Sequence, residues 1–211
     1  MRLRPAFFRL LLPALLVGLP LVARADGAEP SDPQVARLLQ AKKTLHWNHT
    51  LGNGSDRYGH AEALVDAPAD VVAKKAVDFG QYRTFHRKFA TARVVAKEGD
   101  KTDVYMRYPV TIGKLTIELQ ETMRFSPIRS VGSAFVLEAH ALSGDMKRGH
   151  TVITIKPVDA KHALLQVDVL LVPKLPAPQS FIDEELRDGA LDFVNGLKDK
   201  AQGWVGPVTQ L

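Results

Sequence analysis

The chain of 211 residues contains no cysteine. A disulfide framework and a lipid-modified N-terminal cysteine are therefore both excluded, and the domain must stand on its core alone. Long apolar runs are also missing. Leu10 to Val22 extends for about 13 residues, short of the roughly 20 that span a bilayer as a helix. No G-x-S-x-G elbow, Gly-rich phosphate loop or G-x-G-x-x-G occurs, so nothing marks a serine nucleophile or a nucleotide cradle. His46 and His49 stand three apart and would share a face if that stretch were helical, but no cysteine or H-E-x-x-H context supports them as ligands. The expectation is no metal and no cofactor.

The N-terminus has the form of an export signal. Arg2, Arg4 and Arg9 precede the apolar run, and Ala23-Arg24-Ala25 is the small-x-small pattern that signal peptidase cleaves. Pro13, Gly18 and Pro20 weaken a continuous membrane helix. Residues 1–25 therefore read as a signal peptide, with the mature protein periplasmic or secreted after cleavage at Ala25. Losing Arg2, Arg4, Arg9 and Arg24 brings the net charge of +5 down to about +1, which removes the global basic field that nucleic-acid binding would need. About 185 residues remain, ample for one single-core domain.

Asp26 to Pro33 is polar with two prolines and reads as a loose leader. Val35, Leu38, Leu39 and Leu45 then recur near helical spacing, so residues 26–56 are taken as leader and N-terminal helix. Gly52, Asn53 and Gly54 make a turn before a first strand, Arg57 to Val65. Asn48-His49-Thr50 and Asn53-Gly54-Ser55 match the short glycosylation acceptor pattern and are read as loop residues. Six further strands follow, Thr91–Lys97, Asp103–Val110, Leu115–Phe125, Val131–Leu142, Lys147–Pro157 and Ala163–Val172, separated by breakers at hairpin spacing. Along Leu115–Phe125 the odd positions are apolar and the even positions polar, apart from Glu121, which parity places among the apolar residues. Pro173, Pro176 and Pro178 end the last strand. A long helix from about Gln179 to Gln202 carries an apolar stripe, with acids early and lysines late to match its dipole. Residues 204–211 are left as a tail.

Between Ala61 and Phe89 a strand passes through Asp66-Ala67-Pro68-Ala69-Asp70 into a helix, and then Asp78-Phe79, Tyr82 and Phe85 open a second one. This resembles the polyketide cyclase, coenzyme Q-binding, START-like (SRPBCC, Bet v 1-like) superfamily. The resemblance runs from Arg57 to Gly203. It implies an α+β helix-grip fold over residues 57–203, a curved antiparallel sheet around the C-terminal helix, with a hydrophobic cavity between them. Members usually read Y-P-x-F where this chain has Tyr82-Arg83-Thr84-Phe85, which adds charge near the implied cavity mouth.

Parity and the helix stripe place Leu115, Ile117, Leu119, Met123, Phe135, Leu137, Leu186, Ala190 and Phe193 on the implied lining, with Glu121 as its polar group. Periodicity alone does not distinguish such a hollow from a filled core. Nor does it tell an inward Glu121 from one turned outward by a β-bulge. An inward carboxylate needs a partner or a proton, for which Tyr105, Arg107 and His140 are the candidates. The function implied is an exported carrier for a hydrophobic small molecule such as a lipid, quinone or isoprenoid. The alternative is a cyclase- or aromatase-like enzyme using Glu121 with Tyr105, Arg107 or His140. The basic group Arg83, Arg87 and Lys88, near His86 and Arg93, is either a solvated helix face or a contact with anionic membrane.

Overall fold

The computed structural model describes residues 32–203 apart from Asn53 and Arg87. The expected signal peptide, most of the leader and the C-terminal tail lie outside the described residues. The elements are α1 (Pro33–Ala41), β1 (Leu45–Thr50), β2 (Arg57–Val65), α2 (Ala69–Ala76), a 3-10 turn (Phe79–Gln81), α3 (Tyr82–Phe85), β3 (Thr91–Glu98), β4 (Lys101–Ile112), β5 (Leu115–Phe125), β6 (Arg129–Val131), β7 (Ala134–Gly144), β8 (Met146–Pro157), β9 (Ala163–Pro173) and α4 (Gln179–Gln202). Among the described residues all strands join one antiparallel sheet in the order β1-β2-β9-β8-β7-β5-β4-β3, with β6 on β7. This is an α+β helix-grip arrangement. The sheet curves around α4, and α2 and α3 fill the space after β2.

The first strand corrects the sequence reading. Helix α1 stops at Lys42, a left-handed cap with φ 53°, and Leu45–Thr50 is strand rather than helix or turn. Leu45, Trp47 and His49 lie opposite Glu62, His60 and Tyr58, so alternation governs this segment, and the helical spacing of Leu45 is coincidental. His46 and His49 consequently fall on opposite faces of a strand and are no ligand pair. Asn48 is not a loop residue either, since its side-chain amide donates to the Asp183 carbonyl of α4 at 2.8 Å.

Helix α4 lies close against the sheet because Gly59 leaves room for it. A Cβ there would come 2.1 Å from the Leu186 carbonyl. The helix buries Leu186, Ala190, Phe193, Val194, Leu197 and Ala201. Toward its C-terminal half these pack with Val65, Ile155, Leu165 and Val167 into a dry core. The Asp78-Phe79…Tyr82 motif anchors the helix pair. The Tyr82 hydroxyl donates to the Ala76 carbonyl at 2.7 Å, and its ring meets Phe79, Phe125 and Phe193 at centroid distances of 5.4, 5.8 and 5.3 Å, the spacing of favourable edge contacts. Toward the N-terminal half of α4 the packing opens. Tyr108, Val110, Leu119 and Met146 form a separate small cluster there.

Candidate ligand cavity

Between that cluster and α4 lies a cavity of about 150 Å³. Its walls come from β4, β5, β8, β9, α4 and the segment after α3, and nearly all of them are apolar, with Met106, Leu119, Met123, Ile153, Leu171 and Phe181 among them. Lys88, Leu175 and Glu185 stand at its rim, with Leu175 52% exposed and Lys88 donating to Glu185 at 2.9 Å.

Among the polar side chains that line this space, Glu121, Tyr108 and His86 are buried in it. Glu121 is 3% exposed, and burial pushes its carboxyl up to about 7, partly opposed by its contact with Tyr108. The Tyr108 hydroxyl donates to Glu121 Oε1 at 3.4 Å, long for an O–H···O bond, and Glu121 Oε2 has no partner among the described residues. Burial also lowers His86 to about 4, so its ring is neutral, and its Nδ1 has no partner among the described residues. The cavity therefore combines an apolar wall with unfilled hydrogen-bonding capacity, the combination that fixes the orientation of a small molecule.

Of the residues expected on the lining, Ile117, Leu119, Glu121, Met123, Leu186 and Phe193 line the cavity. Leu115 does not, being 63% exposed at the end of β5. Phe135, Leu137 and Ala190 are not on its lining and belong to the main hydrophobic core. The expected partners of Glu121 are corrected as well. Tyr105 and Arg107 have the wrong parity on β4, and their side chains pair with Gln120 and Glu118 on the exposed face. His140 lies on the convex side of β7, beside His150. The residues brought to Glu121's cavity are Tyr108 and His86 instead. Tyr108 shares the parity of Val104, Met106 and Val110, a signal present in the sequence once β4 is phased. His86 carried no such signal. A bulge does occur beside Glu121, but it sits on the partner strand, where Thr122 pairs Ser143 and Met123 pairs Ala141, leaving Leu142 out and 51% exposed. Glu121 keeps its inward parity. Of the basic group, Arg83 is exposed on α3 and Lys88 is tied to Glu185. Arg87 lies outside the described residues.

The convex face of the same sheet holds a different polar cluster. His60 Nδ1 and His49 Nε2 each lie 2.6 Å from Asp168 Oδ1. His60 Nε2 lies 3.6 Å from Glu62 Oε2, an ion-pair rather than a hydrogen-bond distance, and Arg37 donates to Glu62. Burial works against a charge on His60, but the carboxylates of Asp168 and Glu62 overcome it and raise the ring to about 9.

No family model and no curated protein sequence matches the chain. Solved structures do. A STAR-related lipid transfer protein from Xanthomonas axonopodis superposes with a TM-score of 0.63 at 13% identity, covering 76% of this chain and 94% of that one. The human StAR-related lipid transfer protein 5 gives 0.60 at 10% identity, covering 82% and 94%. The Zhui aromatase/cyclase from Streptomyces gives 0.57 at 13% identity, covering 80% and 99%. At these identities the likeness is one of fold, and the chain has the START-like helix-grip fold.

Proposed function

We propose that the protein binds a hydrophobic small molecule in the cavity between α4 and β4, β5, β8 and β9, with a hydroxyl or carbonyl of that molecule placed against Glu121, Tyr108 and His86. The observation that carries this reading is the pairing of an apolar hollow with buried polar groups whose partners are incomplete. The volume narrows the ligand. About 150 Å³ is the size of an apolar cavity that admits benzene, so one ring or a short branched segment fits the hollow as it stands. A longer lipid, quinone or isoprenoid requires the proline-rich strap at residues 173–178 to move outward from the rim. The lipid-transfer proteins of the same fold support a carrier role, and the Ala23-Arg24-Ala25 pattern supports export to the periplasm or exterior. Half-exposed Leu175 and exposed Arg83 support a transient contact with anionic membrane during loading.

The test is mass spectrometry of an organic extract from protein purified without detergent. A stoichiometric apolar compound in the wild type that is lost in Leu119→Trp, which fills the hollow, is the expected result. An empty wild-type protein with an intact fold overturns the reading. Arg83→Glu with Lys88→Glu should weaken binding to anionic vesicles, and unchanged binding removes the membrane contact. A second reading rests on Glu121 alone. A carboxyl poised near pH 7 beside a phenol fits proton transfer in cyclase-like chemistry. Under that reading Glu121→Gln retains the bound compound in an unconverted form, whereas a pure carrier yields the same compound in both proteins.

A further inference from the structure

The convex face of the sheet carries a second constellation, outside the cavity and independent of its reading. His140 on β7 and His150 on β8 are direct cross-strand partners, and their rings stack with centroids 4.5 Å apart and planes within 4° of parallel. Glu138, two residues along β7 on the same face, reaches between them. Its Oε1 lies 2.9 Å from His150 Nε2 and 3.5 Å from His140 Nε2. We propose that Glu138, His140 and His150 form a surface site for a divalent transition-metal ion of the zinc class.

The distances fit such an ion. Zinc–nitrogen and zinc–oxygen bonds of about 2.0 to 2.2 Å in a tetrahedron place neighbouring ligand atoms roughly 3.4 Å apart. The two separations from Glu138 lie within about half an ångström of that value, and closure needs a rotation of one stacked ring so that both lone pairs converge. All three ligands rise from a paired β ladder, which fixes their Cα positions before any ion arrives. Two imidazoles and one carboxylate are also a donor set suited to zinc rather than to magnesium or calcium. A fourth position faces outward, since the His140 side chain is 61% exposed.

The surroundings supply what a bound histidine needs. His150 Nδ1 lies 2.8 Å from the Tyr58 hydroxyl, and the Tyr58 ring meets the imidazole edge-on at 5.8 Å. As it stands Nε2–H donates to Glu138; an ion at Nε2 displaces that proton, and the Tyr58 oxygen then accepts from Nδ1–H, the kind of partner that metal-binding histidines almost always have. His49, His60 and Asp168 also bring three donor atoms together on the same face. His60 is there held as an imidazolium between two carboxylates, so a proton already fills the place of the metal.

The experiment is calorimetric titration of the untagged protein with zinc(II), repeated with cobalt(II) while visible absorption is followed. The wild type should take up one equivalent and develop the d–d bands of a tetrahedral nitrogen and oxygen site. His140→Ala, an exposed change that leaves the core intact, should weaken binding at least about tenfold, and Tyr58→Phe by about 10- to 100-fold through loss of the hydroxyl beside His150 Nδ1. His49→Ala should bind like the wild type. The proposal is overturned if the wild type takes up no equivalent, if His140→Ala and Glu138→Gln both bind like the wild type, or if His49→Ala loses the ion.

Discussion

Glu62 and Glu121 are both glutamates with almost no exposed surface, 0% and 3%, on opposite faces of one sheet, and their carboxyls are shifted in opposite directions. Glu62 on β2 is a carboxylate held below its usual range. Burial acts against it, but His60 and Arg37 outweigh that cost. Glu121 on β5 meets only a long contact from Tyr108, and burial pushes it up to about 7. The convex face has closed its polar groups on one another, with Arg37, Glu62, His60 and Asp168 alternating in sign. The concave face has left Glu121 with a raised carboxyl and His86 neutral, and Glu121 Oε2 and His86 Nδ1 have no partner among the described residues. Burial by itself therefore does not decide protonation. What each strand brings across from its neighbour does: opposite charges meet on the convex face, and the cavity face brings Glu121 no cation.

The sharpest way to break this contrast is to remove the cation from the convex face. His60→Ala leaves Glu62 and Asp168 buried without it and should destabilise the fold by about 3 to 5 kcal/mol at pH 7 in urea denaturation. Because His60 is raised in the folded state, its contribution is fully present below pH 6.5 and disappears as pH rises through about 9. A loss under about 1 kcal/mol would show that the convex cluster is not a charged network.

The opposite sign is expected on the concave face. Glu121 binds its proton more tightly folded than unfolded, so its burial is harmless at pH 4 and becomes costly as pH rises from about 4.5 through 7. Glu121→Gln should therefore stabilise the protein by up to about 3 kcal/mol at pH 8 and change little at pH 4. Equal effects at both values would mean that Glu121 is ionised without penalty. His86 supplies the mirror case. Its folded value is depressed to about 4, so stability falls as pH drops from 6.5 toward 4, and His86→Phe should flatten that acid limb in a melting series across the same range. The smallest effect belongs at the rim. Lys88 and Glu185 are both partly exposed, and Lys88→Ala should cost less than about 1 kcal/mol and diminish further in high salt.

Much of the fold was legible because local periodicity and global burial agree. On β5 the odd positions Leu119, Glu121, Met123 and Phe125 are buried as alternation requires. On α4 the stripe through Leu186, Ala190, Phe193, Leu197 and Ala201 is the buried one. Strand β1 was not legible, since six residues following a helix supply too short a pattern, and Leu45 happens to continue the helical spacing. The partner of Glu121 was missed for a related reason. Strand β4 carries a tyrosine on each face, so choosing between Tyr105 and Tyr108 requires its register, in which Met106 pairs Glu121 and Tyr108 pairs Leu119.

The sequence alone determined the order of the main strands and helices from β2 onward and the apolar alternation that places Glu121 among buried residues, all properties of residues a few positions apart. Tertiary structure decided where the interior packs solid and where it stays hollow, and which buried groups carry charge. Those depend on side chains that meet from distant strands. His60 and Asp168 are 108 residues apart in the chain and 2.6 Å apart in space, and the field each exerts on the other exists only after β2 and β9 have paired.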